Sequence, residues 1–302
     1  MTRIPRSSYR LPLLATGVLL LLAACNKEKS ASELTPQEEQ SIALTSARSD
    51  AQSHFTFDDV FDNILGVNSE VGFGNTGVFG RPGSGPNVDS IPPCVQLTVT
   101  RLSQQGPFPV RITVDFGSGC TGRDGRTRYG RVITEYSRRL LDSGAVATTS
   151  FDNYRIDSVR IEGTHVVRNT AGFPRRFTVE VRNARIIRAN GDYALWNADR
   201  VITQVEGTGT PNLAFDDVFA ISGGASGQAR HDNLIHTWSS VIEVPLRKRF
   251  SCRWFSAGVV SSGRTGLPAS SPWIGKLSYG QGQCDNLASF AVNNSTYQIS
   301  LP

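Results

Sequence analysis

Phe177-Thr178-Val179-Glu180-Val181, followed by the turn Asn190-Gly191-Asp192, is the stretch from which the fold is read. Apolar and polar residues alternate with period two, which puts Phe177, Val179 and Val181 on one face of a strand. Asn-Gly between two such runs is the strongest short hairpin signal, because the tightest hairpin turns need positive φ at both central residues. The same alternation recurs upstream at Val95, Leu97 and Val99, at Val110, Ile112 and Val114, and at Val159 and Ile161. Turn signals at Gly122-Arg123-Asp124-Gly125, Ser143-Gly144 and Gly223-Gly224 punctuate the runs. The spacing predicts sequential antiparallel strands of about 8–14 residues. No helical pattern of about 10–15 residues separates them, which argues against a parallel βαβ sheet. Residues 94–302 are therefore predicted to be mainly β: a large antiparallel meandering sheet, as a sandwich or an open barrel.

The segment before residue 94 differs in texture. Thr35-Pro36-Gln37-Glu38-Glu39 is a helix start, with Thr35 as cap, Pro36 at the first helical position and two acids at the positive end of the dipole. Ile42, Leu44 and Ala47 supply one short apolar face, and a second helical piece is expected through Phe57 to Leu65. Residues 35–66 thus read as a short helical segment, 67–93 as a Gly/Pro-rich loop and 25–34 as a polar tether.

The first 24 residues have the layout of a secretory signal peptide. Arg3, Arg6 and Arg10 precede the short apolar run Leu11 to Leu22, and small residues follow. The run falls short of the roughly 20 apolar residues that a membrane helix needs. Leu22-Ala23-Ala24-Cys25 resembles the bacterial lipobox. That resemblance implies a diacylglycerol thioether on Cys25, cleavage before it, and acylation of the new N-terminus, as by palmitate. Two or more acyl chains make a stable anchor, at about 0.8 kcal/mol per buried CH₂. Asn26 in place of Asp points to the outer membrane, on its periplasmic face or at the cell surface, and Lys27-Glu28-Lys29 faintly resembles charged surface-export tags of Bacteroidota.

Composition narrows the function classes. Removing the leader's three arginines from the 31 basic residues leaves 28 against 26 acidic, net +2 rather than +5. That balance is no nucleic-acid footprint. Setting Cys25 aside leaves Cys94, Cys120, Cys252 and Cys284, an even number in an oxidising compartment. Three pairings exist. Local pairing, Cys94–Cys120 and Cys252–Cys284, asks least of adjacent strands, whereas Cys94–Cys284 would suit a closed barrel.

Two internal echoes stand out. Phe57-Asp58-Asp59-Val60-Phe61 returns as Phe215-Asp216-Asp217-Val218-Phe219, and Phe116-Gly-Ser-Gly-Cys120 parallels Tyr279-Gly-Gln-Gly-Gln-Cys284. The stretch Asp115 to Gly125, with Tyr129-Gly130-Arg131-Val132 and Tyr279 to Asn286, resembles a group of Bacteroidota envelope lipoproteins over roughly residues 94–302. The resemblance implies a β-rich envelope protein. It carries no activity, so no functional residue is transferred.

Motifs that could carry chemistry read as structure. Gly72 to Gly77 and Gly117 to Gly122 both fit G-x-G-x-x-G, but neither has the strand before and helix after that a phosphate site needs. No G-x-S-x-G elbow occurs. His54, His165, His231 and His236 lack metal-site spacing, the last two being expected on opposite faces of a strand, so neither metal nor cofactor is expected. The pairs Asp58-Asp59 and Asp216-Asp217 are expected at solvated turns or strand ends. Trp196, Trp238 and Trp273 are read as core rather than as sugar platforms. Asp89-Ser90-Ile91 and Asp157-Ser158-Val159 match a short O-glycosylation sequon.

The densest basic-aromatic cluster, Arg247, Lys248 and Arg249 with Arg253 and Trp254, is the candidate contact for an anionic glycan, lipid or protein partner. The expectation is a lipid-anchored envelope protein with a non-catalytic binding or assembly role. The alternatives are a glycan-acting hydrolase, or a carrier of a lipid or hydrophobic ligand.

Overall fold

The structure is a computed structural model that describes residues 34–66, 92–210, 216–231 and 234–302. The lipobox cysteine Cys25, the tether, the loop 67–91 with its glycine motif, and the sequon at Asp89 lie outside the described residues.

Among the described residues a single helix, α1 (Pro36–Leu65), precedes the strands. Its start follows the capping logic. Thr35 Oγ1 accepts from the Glu38 amide at 3.2 Å, and the Glu38 carboxylate accepts from the Thr35 amide at 2.9 Å. Gly66 ends it in the left-handed region at φ 69°. The expected two short pieces are one helix of 30 residues, about 45 Å long. The polar stretch between them does not break it, because Ser46, Ser49, Asp50, Ser53 and His54 are buried against the sheet. Ser53 and Thr56 also donate to the carbonyls of Ser49 and Gln52, so their hydroxyls are satisfied along the helix.

The strands are β1 (Gln96–Arg101), β2 (Val110–Asp115), β3 (Cys120–Thr121), β4 (Thr127–Tyr136), β5 (Val146–Ile156), β6 (Val159–Ala171) and β7 (Arg176–Ile187). They continue as β8 (Tyr193–Glu206), β9 (Val218–His231), β10 (Leu234–Arg249), β11 (Ala257–Arg264), β12 (Gly275–Gln281), β13 (Leu287–Val292) and β14 (Ser295–Ser300). Each pairs antiparallel with its sequence neighbour in one meander from β1 to β14, with β3 set beside β4 off the path. The predicted mainly β antiparallel architecture is the observed one, as an open sheet: β1 and β14 do not pair with each other.

Helix α1 lies against β8 to β13 and is buried on nearly all sides along its C-terminal half. Inward-facing residues alternate along every long strand, and Phe177, Phe219, Trp238 and Phe290 join Phe61 and Ile64 of α1 in one core. The outward rows are charged. Arg131 bonds both Asp115 and Asp152, Arg111 meets Glu135, and Lys276 meets Glu243. Such exposed pairs add little to stability because solvent screens them, and their charge is the reverse of a lipid-facing strand surface.

Cys94 bonds Cys120 and Cys252 bonds Cys284, the two local pairs. The Asn190-Gly191-Asp192 turn joins β7 to β8 as predicted, with the Asn190 side chain accepting from the Asp192 amide. Gly223-Gly224 is not a turn. It lies inside β9, where Gly223 has φ 127° and a Cβ there would sit 2.1 Å from the Asp199 carbonyl oxygen. The glycine serves a close backbone approach to β8 rather than a chain reversal. The Phe-Asp-Asp-Val-Phe echo is no structural repeat: the first copy is helical, and of the second Val218 and Phe219 open β9. The second echo does place Phe116 and Tyr279 alike, each buried just before a half-cystine.

Candidate functional site

The densest polar chemistry lies between α1 and the sheet. Asp58 and Asp62, four residues apart, share one helix face. Both point at Lys248 of β10, whose Nζ is 2.6 Å from Asp58 and 2.9 Å from Asp62. Lys248 is only 2% exposed, so this is an ion cluster out of water. Next to it, Arg128 of β4 lies 3.7 Å from Asp59 and forks onto Asp124 at 2.8 and 3.0 Å. Arg253 adds a third cation, 3.9 Å from Asp124 and 4.8 Å above the Phe55 ring.

Among the described contacts, Asp58, Asp59, Asp62 and Asp124 thus meet Lys248, Arg128 and Arg253. Burial pushes Asp62 up to about 7 against the pull of Lys248, and the charge of Asp58 adds to the rise. Asp58 is raised for the same first cause. Burial alone would lower Lys248, but the charges of Asp58 and Asp62 overcome it and hold the ammonium above its usual range.

A second cluster occupies the middle of α1. The Trp196 indole donates to Asp50 at 2.9 Å, and Arg200 of β8 touches His54. Phe57 stacks on Trp196 and on His165. Burial lowers His165 to about 3, and burial with the adjacent Arg200 charge lowers His54, so both imidazoles are neutral. The space among these rings and the sheet is a cavity of about 40 Å³. Binding pockets for small molecules are typically about 300–1,000 Å³, so this one has room for little beyond water. A carboxyl near 7 has the pKa of a general acid, but Asp62 lies 2.9 Å from Lys248 in the interface between α1 and the sheet.

Several predicted site residues fall elsewhere than expected. The cluster from Arg247 to Trp254 is not one surface. Period-two alternation sends Arg247 and Arg249 outward, where Arg247 meets Glu206, and sends Lys248 inward to α1. Arg253 turns toward Asp124, and the Trp254 indole donates to the Pro302 carbonyl at 3.1 Å. The Asp58-Asp59 pair is helical and buried or half-buried, not a solvated strand end, and Asp217 is buried against Arg175 at 3.1 Å. Trp196 and Trp238 are core residues, as expected. His231 and His236 sit on the two strands of a hairpin, with His236 buried and lowered by that burial to about 4. Among the described residues no group of three potential ligands is placed to hold a metal ion.

Sequence reasoning missed the inward role of Lys248. The signal was present: Lys248 is two residues from Leu246 and therefore shares its face.

Comparison of the chain with family models, with curated proteins and with solved structures finds no match.

Proposed function

We propose that this is a lipid-anchored envelope protein whose β unit binds a partner and catalyses no reaction. One observation carries the reading. The inner face of the open sheet, where a carrier would hold a ligand or a hydrolase its cleft, is filled by the chain's own helix, with the helix carboxylates matched to sheet cations. A hydrolase would need its acids facing a substrate-sized cleft, and a carrier would need apolar volume well beyond about 40 Å³. The Cys25 anchor and the tether would hold this rigid body at the membrane with its outer surface free.

The test uses the purified lipidated protein with envelope glycans, phospholipids and simple esters, products being followed by mass spectrometry, alongside cross-linking in cells. The expected result is no turnover and a discrete cross-linked partner. Turnover of any of these substrates overturns the reading.

A further inference from the structure

We propose that the cleft between α1 and the free edge of β14 binds an acidic peptide segment as an added strand. The cleft measures about 470 Å³ and lies between Arg48, Ala51 and Gln52 of α1, Arg188 of the β7–β8 turn, and residues 298–302. That volume lies within the range of about 300–1,000 Å³ typical of binding pockets. It faces the outward stripe of α1, where Arg48 is exposed and Gln52 half-buried, away from the Lys248 cluster.

The β14 wall is a strand edge, and its hydrogen-bond phase can be worked out. The β13–β14 hairpin turns on Asn293 and Asn294, with φ of 44° and 61°, and closes at the Val292–Ser295 pair. A two-residue turn closes on a hydrogen-bonded pair, and such pairs alternate along an antiparallel ladder. Tyr297 and Ile299 therefore bond to β13, and the Leu301 amide continues the series by donating to the Asn286 carbonyl at 2.7 Å. The amides and carbonyls of Gln298 and Ser300 point the other way, away from β13, on the edge that borders the cleft. Among the described residues, β14 pairs within the sheet with β13 alone. Ser295–Ser300 contains no Lys, Pro or bulge, the devices by which natural edges avoid pairing.

Charge selects among strands. Among the described residues no Asp or Glu side chain lines the cleft, and Arg188 there bonds the neutral Gln52 side chain. Two guanidinium groups beside a strand edge fit a peptide with carboxylates at alternating positions, joining main-chain pairing to forked arginine contacts. A small carboxylate would use the arginines but not the edge.

The inference rests on the reading of the β unit as a non-catalytic binder. Its test is fluorescence anisotropy of the full mature chain with the labelled hexapeptide Thr-Glu-Val-Glu-Val-Glu. Saturable binding is expected. Arg48→Glu and Arg188→Glu should each weaken it at least tenfold. Ser300→Pro removes only an outward amide, so it should weaken binding as much while leaving the circular dichroism spectrum unchanged, and a fully N-methylated peptide should not bind. No saturation up to about 1 mM, equal binding by the arginine variants, or equal binding by Ser300→Pro and the N-methylated peptide each overturns the proposal, the last leaving an anion site without strand pairing. Mass spectrometry of the peptide separates the two readings: absent binding with intact peptide overturns strand addition alone, whereas cleaved peptide overturns the non-catalytic reading.

Discussion

Replacing Lys248 by Met deletes an ammonium that lies 2.6 Å from Asp58 and 2.9 Å from Asp62 in a nearly water-free interface. Removing one partner of a buried ion cluster typically costs about 3–5 kcal/mol, because the remaining charges stay desolvated without compensation. The loss depends on pH. For a carboxyl raised on folding, the native state holds a proton that the unfolded chain has released. That contribution is fully present below the unfolded value near 3.8 and is lost as pH rises through the native value of about 7 for Asp62. Removing Lys248 raises both carboxyls further. Lys248→Met should therefore cost about 3–5 kcal/mol at pH 8 and distinctly less at pH 5. Adding Asp58→Asn and Asp62→Asn removes the stranded charges, and the triple variant should return to within about 2 kcal/mol of the parent. Urea unfolding followed by far-ultraviolet circular dichroism, with disulfides intact, measures all three. A single variant within about 1 kcal/mol of the parent at pH 8, or a triple variant no better than the single, refutes the claim of a buried, mutually neutralising cluster.

Removing the second bridge by Cys252→Ser with Cys284→Ser, across a sequence separation of 32 residues, should lower stability by about 3–4 kcal/mol on the loop-entropy account; an unchanged urea midpoint contradicts it. Gly223→Ala places a methyl group against the Asp199 carbonyl at a positive φ, and should cost at least about 1–3 kcal/mol, read as a fall in melting temperature. Cys25→Ala should abolish incorporation of a fatty-acid analogue in growing cells, and undiminished label would sink the lipobox reading.

The strands were legible because each long one buries one face, so period two survives in residues such as Phe177, Val179 and Val181. The disulfides followed from the same meander, which brings near neighbours together. The helix was only half legible. Its ends carry strong capping chemistry, but its middle is buried while polar, and Asp50 and His54 meet partners more than a hundred residues away in sequence. Local sequence cannot announce a helix whose burial depends on Trp196 and Arg200. The binding patch was misread for a related reason. Arg247-Lys248-Arg249 reads as uniform charge, whereas a strand gives its middle residue to the opposite face. The cleft at β14 rests on a strand edge that carries no sequence motif.

The central claim is that α1 is an integral filling of the sheet and not a removable cover. Native-state hydrogen exchange of the full chain tests it directly. If the claim holds, amides from Ile42 to Ile64 exchange only with those of β7 to β10, at rates set by global unfolding. If α1 amides exchange about a hundredfold faster than those strands while the strands stay protected, the helix leaves on its own, and the inner face of the sheet is an open site.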